Sequence, residues 1–326
     1  MEKVILSGMR PTGNLHLGNY FGALENWSKL QEEYKCFFFV ADWHALTTGY
    51  SETEDIKKYE REAVIDFIAS GIDPNKSNIF LQSDVKEHAE LHLLFSMITP
   101  LSWLLRCPTY KDLISNMKDK DLATYGFLGY PCLQAADILM YKAYGVPVGE
   151  DQLPHLELTR EIGRRFNHIY GKEVFPEPVG LLTESKVLPG LDGRKMSKSY
   201  NNTIALSDSP EVVSKKVMSM VTDPSRIKKT DPGHPNICSV FAYHKIFNKA
   251  ETPEIEVACK AGEIGCVQCK RNLNCKMAET LTPIYDTRVE LENRDGYIND
   301  VLEAGAKAAS EKAKITMNEV REAMKI

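Results

Sequence analysis

Over roughly the first two-thirds of the chain, short apolar runs alternate with amphipathic helical stretches, and few folds accommodate that alternation. Val4-Ile5-Leu6-Ser7-Gly8, Cys36-Phe37-Phe38-Phe39-Val40-Ala41, Ile79-Phe80-Leu81-Gln82 and Val146-Pro147-Val148-Gly149 read as buried strands. Between the second and third, Ile56, Tyr59, Ala63, Phe67 and Ile68 recur at helical spacing, closed by Gly71 with Pro74 just beyond. Strand and helix in turn predict a parallel, doubly wound sheet. Its ligands belong at the carboxyl ends of the strands, where the segment Gly8 to Gly18 falls.

The character changes after Ser199. Ser209-Pro210-Glu211 is a capped helix start, and almost everything beyond it reads helical. The last segment places Ile298, Val301, Leu302, Gly305, Ala308, Ala309, Met317 and Val320 on one face. With 326 residues the chain has room for two cores. We expect an α/β catalytic domain over 1–200, with a largely helical insertion over about 85–126, and a helical domain over 201–326. No apolar run approaches membrane-spanning length and the N-terminus passes straight into a strand, so we expect a cytoplasmic protein without a membrane partner. A net charge of −5 gives no bulk attraction to nucleic acid, so any RNA contact has to come from local patches. Lys228, Lys229, Lys270, Arg271 and Lys276 are the nearest thing to one.

Of the eight cysteines, Cys36, Cys107 and Cys132 sit singly in apolar surroundings and read as buried, inert thiols. The other five crowd into residues 238–275. In a reducing compartment, Cys238, Cys259, Cys266 and Cys269, the last two forming a C-x2-C, point to metal, with Cys275 a bystander. Four thiolates suit a tetrahedral zinc site, although only one C-x2-C is present where zinc ribbons pair two.

Two polar segments suit a polyphosphate. Met9-Arg10-Pro11-Thr12-Gly13-Asn14-Leu15-His16-Leu17-Gly18-Asn19 is a Gly-punctuated turn between a strand and a helix. Gly18 permits close backbone approach, and His16 and Asn19 can donate to phosphate oxygens. Gly193-Arg194-Lys195-Met196-Ser197-Lys198-Ser199 is a Lys/Ser-rich loop carrying cations. A third segment, Tyr130-Pro131-Cys132-Leu133-Gln134-Ala135-Ala136-Asp137, is an apolar helix with Gln134 and Asp137 on one face. A carboxylate on such a helix has to be paired internally, cap a helix, or bind something.

Together these segments resemble the paired HIGH and KMSKS signatures of class I aminoacyl-tRNA synthetases. Asn19 replaces the last His of the first signature, as it does in the tryptophan and tyrosine branch, while Lys195 to Ser199 matches the second at all five positions. The Gln134/Asp137 helix, Val40-Ala41-Asp42-Trp43-His44 and Gly145-Val146-Pro147-Val148-Gly149-Glu150-Asp151-Gln152 are similar to the tryptophanyl-tRNA synthetases in particular, a resemblance that covers essentially the whole chain.

That resemblance implies activation of L-tryptophan with ATP and Mg²⁺ and transfer to tRNA(Trp), by a homodimer. It assigns catalysis to His16, Lys195, Lys198 and Lys111. ATP falls to Arg10, Pro11, Thr12, Gly18, Asn19, Gly149, Glu150, Asp151, Gln152, Val187 and the run Lys195, Met196, Ser197, Lys198, Ser199. Tryptophan falls to Asp137, which would accept the indole N–H, with Gln134, Tyr130, His44 and Gly8. Arg10 stands where many members carry Gln. A subset of the family holds a [4Fe–4S] cluster on a cysteine pattern like this one, which implies a cluster on Cys238, Cys259, Cys266 and Cys269, with Zn²⁺ the alternative. Two other readings are a tyrosyl-tRNA synthetase, which shares the fold and a Gln/Asp pair, and a non-catalytic Fe–S or RNA-binding paralogue.

Overall fold

A computed structural model describes residues 3–107, 110, 123–182 and 188–326, apart from the Ser199 side chain. Lys111 and Val187 therefore lie outside the described residues. The chain opens with β1 (Val4–Met9) and the helical run α1, made of Leu17–Asn19, a π-helical stretch Tyr20–Leu24 and Glu25–Leu30. There follow β2 (Lys35–Val40), α2 (Asp42–Gly49), α3 (Ile56–Ala69) and β3 (Ser77–Leu81). Next come α4 (Glu87–Ile98), α5 (Leu101–Leu105), α6 (Tyr125–Met140), β4 (Gly145–Val148), α7 (Leu153–Tyr170) and β5 (Val179–Leu182). Beyond them are α8 (Pro210–Ser219), α9 (Ser239–Phe247), α10 (Thr252–Lys260), α11 (Cys266–Glu292) and α12 (Tyr297–Met324).

The five strands form one parallel sheet in the order β3-β2-β1-β4-β5, the doubly wound architecture that the alternation predicts. Strand β5 was not legible in the sequence. It is a short, half-exposed edge strand following Pro176 and Pro178, and edge strands carry little of the apolar signal that marks buried ones.

Alternate strand residues feed two cores, one on each face. Ile5, Cys36, Phe38, Val40 and Ile79 point to one, where Trp27 stacks on Phe38 with ring centroids 4.6 Å apart. Val4, Leu6, Phe37, Phe39 and Phe80 point to the other, covered by α4, α6 and α7. The first core runs on without a break into Val213, Val217, Phe241, Leu273, Met277 and Ile284 of α8, α9 and α11. The three isolated thiols are buried, and burial pushes Cys36 up to about 12 and Cys132 to about 11, so both are inert at neutral pH. The N-cap expected at Ser209 is present, its hydroxyl accepting from the Val212 N–H at 3.4 Å.

The last helix returns to the sheet and lies along β3. Its stripe of small residues sets how close it comes. A Cβ on Gly305 would sit 1.9 Å from the Ile79 carbonyl oxygen. Gly305→Ala would gain about 1 kcal/mol of helix propensity, yet the clash is with strand backbone, which cannot swing aside. We expect a net loss of about 2 kcal/mol, read as a lower urea midpoint at unchanged m. A midpoint that rises instead would show that α12 is free to slide off the strand.

Candidate functional site

Because all five strands run the same way, their carboxyl ends share one edge, and the chain leaves β1 towards β2 on one side and β4 on the other. At that switch point lies a cleft of about 370 Å³. Gly8 and Arg10 reach it from the end of β1, Ala41 and His44 from the end of β2, and Gly149 and Gln152 from the end of β4. The helix α6 closes it with Phe127, Tyr130, Gln134 and Asp137. Gly8 is required by packing: a Cβ there would lie 2.5 Å from the Phe39 ring. At Gly149, a Cβ would lie 2.6 Å from Asp151 Oδ1; Glu150 and Asp151 themselves are exposed.

Asp137 is 1% exposed and ringed by donors. His44 Nε2 lies 2.7 Å from Oδ2, His88 Nδ1 2.6 Å from Oδ1, and Gln82 Nε2 donates to both oxygens at 2.8 and 3.0 Å. A carboxylate only accepts, so both rings present N–H to it, and the other nitrogen of His88, Nε2, lies 2.8 Å from the Tyr141 hydroxyl. Burial pushes the Asp137 carboxyl up, but the hydrogen bonds from His44 and His88 outweigh it and hold the group down to about 2. The result is a buried anion in the wall of a cleft lined mostly by apolar and aromatic side chains, with Arg10, Gln134 and Gln152 among its polar members. The internal pairing that the sequence left open is thus realised, and the same carboxylate also borders the cleft.

The cationic elements gather beside this cleft, not in its lining. Lys198 Nζ donates to the Gly13 carbonyl at 2.8 Å, joining the late loop to the early turn across 185 residues. Gly13 has φ +118°, which only glycine adopts readily, and the lysine side chain packs directly over its α-carbon. Within the turn, His16 Nδ1 accepts from the Gly18 N–H at 3.1 Å while Asn19 Oδ1 accepts from the His16 N–H at 3.0 Å. Burial, reinforced by Lys198, lowers His16 to about 4. The ring is therefore neutral, and with Nδ1 accepting, its proton sits on Nε2 as a donor. A Cβ at Gly18 would strike that imidazole at 2.9 Å, a second reason for glycine besides ligand access.

Burial also lowers Lys198, to about 8, with Asp66 opposing the shift and Arg10 adding to it. Arg10 thus faces both the cleft and the lysine. Pro11 is buried and Thr12 exposed, its N–H closing a tight turn onto the Arg10 carbonyl at 2.9 Å. Lys195 is exposed, and Met196 is buried under the loop.

Several residues that shape the site went unnoticed in the sequence. Asn202, 2% exposed, staples the loop: its Oδ1 accepts from the Ser197 N–H at 2.8 Å, and its Nδ2 donates to Asp192 Oδ1 and the Lys195 carbonyl. Gln82 stands at the carboxyl end of β3, a position that marks it on topology alone. His88 and His155 gave no signal, being histidines in helical runs with no motif around them; His155 Nε2 lies 2.6 Å from the Tyr130 hydroxyl. On α7 the exposed Glu157 and Glu161 pair with the half-buried Arg160 and the exposed Arg164, while Thr159 between them is buried.

Away from the sheet, Cys238, Cys259, Cys266 and Cys269 all line one small cavity, together with Arg226 and apolar side chains. Cys275 is exposed and not among them. Among the described residues, no three His, Cys, Asp or Glu side chains are spaced to hold a metal ion. Nor is any described helix long and apolar enough to cross a membrane.

A parallel sheet split at its switch point, with a glycine turn and a KMSKS loop meeting beside the split, defines a class I aminoacyl-tRNA synthetase. The chain matches the family "tRNA synthetases class I (W and Y)" over residues 2–282 and belongs to it. Within that family it is similar to the tryptophan–tRNA ligases. That of Thermotoga maritima is 54% identical and that of Aquifex aeolicus 49%, each alignment covering 99% of both chains. The crystal structure of the Campylobacter jejuni tryptophanyl-tRNA synthetase complexed with ADP and tryptophan superposes with a TM-score of 0.89 at 35% identity, over 99% of this chain and 100% of that one.

Proposed function

We propose that the protein is a tryptophan–tRNA ligase, which activates L-tryptophan with ATP and passes the aminoacyl group to the terminal adenosine of tRNA(Trp). The observation that carries this reading is the fixed anion of Asp137 in a largely apolar, aromatic-lined cleft at the switch point, next to the Lys198–Gly13 contact. An indole is a flat apolar body with one N–H, and this cleft offers stacking surface and one buried acceptor. Gln134, Tyr130, His44 and Gly8 complete the amino-acid side. The ATP side comprises Arg10, Pro11, Thr12, Gly18, Asn19, Gly149 to Gln152 and the loop Lys195 to Ser199.

In activation, a tryptophan carboxylate oxygen bonds to the α-phosphorus, the α–β bridging P–O bond breaks, and pyrophosphate leaves. Negative charge grows on the departing group, so cations held ready beside it lower the barrier. Lys195 and Lys198 supply them, and His16 Nε2–H donates to a phosphate oxygen. Mg²⁺ carried on the ATP phosphates adds further charge neutralisation. Arg10, between cleft and lysine, lies where the two substrates meet.

Residues 201–326 serve on this reading as the tRNA anticodon-binding domain, with Lys228, Lys229, Lys270, Arg271 and Lys276 for phosphates. Leu93, Met97, Leu101 and Leu105 are exposed along α4 and α5, an apolar patch suited to a second copy of the chain in a homodimer.

By ligand chemistry the four cysteines suit a [4Fe–4S] cluster, with zinc the alternative, although as they stand they are not spaced to hold a metal ion. They converge on one cavity, and Arg226 Nη1 stands 4.0 Å from Cys259 Sγ and 3.9 Å from Cys266 Sγ. A Cβ at Gly233 would lie 2.5 Å from Cys259 Sγ, so glycine keeps that thiol's approach open. When bound, the cluster would staple α9, α10 and α11 together.

Tryptophan-dependent ATP–pyrophosphate exchange, followed by tRNA charging, tests the assignment. Asp137→Asn turns an amide N–H₂ towards donors and should lower kcat/KM for tryptophan by roughly 10²-fold, the cost of mispairing a charged hydrogen bond. Exchange that prefers tyrosine would move the protein to the other branch. Exchange with neither amino acid would leave a non-catalytic paralogue.

A pH profile follows from Lys198. Polyphosphate binds the ammonium form, and the free lysine loses its proton as pH rises through about 8. The KM for ATP should therefore climb above pH 8, by up to about tenfold per unit, and Lys198→Arg should abolish that rise because guanidinium stays charged. A KM that is flat up to pH 10 in the parent enzyme would remove Lys198 from phosphate binding.

Protein purified without oxygen should be brown and hold about four irons per chain. Serine at Cys238, Cys259, Cys266 or Cys269 should bleach it, serine at Cys275 should not, and tRNA charging should suffer more than exchange. A colourless protein with one zinc per chain would replace the cluster with zinc.

A further inference from the structure

Asn202 closes the lysine loop with a side chain that is 2% exposed and fully engaged. Oδ1 accepts from the Ser197 N–H at 2.8 Å, and Nδ2 donates to the Lys195 carbonyl at 3.1 Å and to Asp192 Oδ1 at 2.8 Å. A backbone N–H can only donate and a carbonyl can only accept, so these partners fix which way round the amide sits. One side chain therefore holds the peptide groups on both sides of Met196, whose own side chain is buried beneath the loop. The Asn202 carbonyl takes part as well, accepting from the Leu191 N–H at 2.9 Å. The fit is close, since a Cβ on Gly190 would lie 2.2 Å from Asn202 Nδ2.

The two lysines of the loop are placed in different ways. Lys198 carries an anchor of its own, the 2.8 Å bond from Nζ to the Gly13 carbonyl. Lys195 is exposed, and its direction follows from the backbone beneath it. That backbone is pinned at the Arg194 carbonyl, which accepts from the Gly190 N–H at 2.6 Å, and by Asn202 at the Lys195 carbonyl. The stem below is held to the helical region, by the Tyr243 hydroxyl on the Pro189 carbonyl at 2.9 Å and the Val221 N–H on the Leu191 carbonyl at 2.8 Å. Peptide groups in an exposed loop can turn to water instead, so burying an amide to hold two of them costs its desolvation and the ordering of the chain. What it secures is a single path for the backbone between Asp192 and Ser197.

We propose that Asn202 is a positioning residue for Lys195, setting the peptide groups around Met196 so that the Lys195 ammonium stands where charge builds on the departing pyrophosphate. The inference rests on the reading of this loop as the pyrophosphate-binding element. Asn202 acts through the backbone, not on the reacting atoms. Charge on the leaving group grows only as the α–β bridging bond breaks, so a misplaced Lys195 weakens the transition state and leaves the ground-state complex nearly as stable. Lys198, held by its own bond to Gly13, stays where it is.

The test is steady-state ATP–pyrophosphate exchange with the full-length enzyme. Asn202→Ala should lower kcat about 10²-fold, the cost of misplacing a charge by about 1 Å, while the KM values for ATP and tryptophan stay within about twofold. In a Lys195→Ala background the same change should cost less than about twofold, whereas in a Lys198→Ala background the full loss should remain. An equal loss in both backgrounds, or KM values that rise as kcat falls, marks a loop that is merely loosened and overturns the proposal. Should Asn202→Ala fail a thermal-melt check for folding, Asn202→Asp keeps an acceptor for the Ser197 N–H and loses the donor to the Lys195 carbonyl. It should lower kcat about tenfold with the same dependence on Lys195. Adding Asp192→Asn, which relieves the two facing carboxylates, should not restore the rate; restoration would mean that Asn202 serves Asp192 instead, and would overturn the proposal. If Lys195→Ala by itself leaves exchange unchanged, the reading of the loop fails and this inference falls with it. A Lys195→Ala that cripples exchange beside an Asn202→Ala that does not overturns the inference alone.

Discussion

The parting of β1 from β4 governs the rest of the molecule. Their register is pinned at Ile5 opposite Gly145, and further along β4 Pro147 has no N–H to offer a neighbour. The two strands then diverge towards their carboxyl ends, and the cleft opens between them with Val146, Pro147 and Val148 in its wall. Because the sheet is all parallel, every loop that leaves a strand does so at this same edge. Residues drawn from four separate strand ends, Arg10, His44, Gln82 and Gly149, are brought within reach of one another with no long loop to organise.

Within that frame, buried charges are treated in opposite ways. Asp137 loses its water but gains His44, His88 and Gln82, so it stays ionised under all ordinary conditions. Lys198 also loses water and gains only a backbone carbonyl and a distant Asp66, so its charge is held weakly. A fixed anion suits recognition of a neutral donor that must be told apart from close analogues. A loosely held cation suits a phosphate that supplies the missing counter-charge when it arrives. His16 follows the same logic: desolvation keeps it neutral, and the Gly18 N–H decides which nitrogen bears the proton.

What could be read from the sequence follows from how each feature is encoded. The parallel sheet was legible because Phe37, Phe38 and Phe39 and their counterparts form runs that only doubly covered strands tolerate. The glycine turn and the lysine loop were legible because their chemistry is local and their spacing short. Asp137 was legible as an oddity, a carboxylate on an apolar helix, but its partners were not. His44, Gln82 and His88 come from different elements, and nothing in a run of residues says which will meet. Asn202 was invisible for the same reason: it looks like an ordinary polar loop residue, and its hold on the Ser197 N–H exists only after burial. Strand β5 was missed because an exposed edge has no need of the apolar pattern used to find strands.

The separation between the cleft and the cationic turn has a consequence for how two substrates are made to react. The cleft holds an indole-sized volume but not the lysines, which lie beside it along the run from Arg10 to Gly13. On the proposed reading, an amino acid seated with its ring against Asp137 extends its carboxylate back towards the end of β1, and a nucleotide gripped at His16 and Lys198 extends its α-phosphate towards the same place. The reaction is favoured by holding two separately bound groups at one junction, which converts an encounter in solution into a step between neighbours. Small displacements of the turn then matter more than changes in affinity. The turn is held from both sides of His16, by the Leu206 N–H on the Leu15 carbonyl at 2.9 Å and by the Leu17 N–H on the Ile204 carbonyl at 3.0 Å, so the junction is set by the backbone that follows the lysine loop.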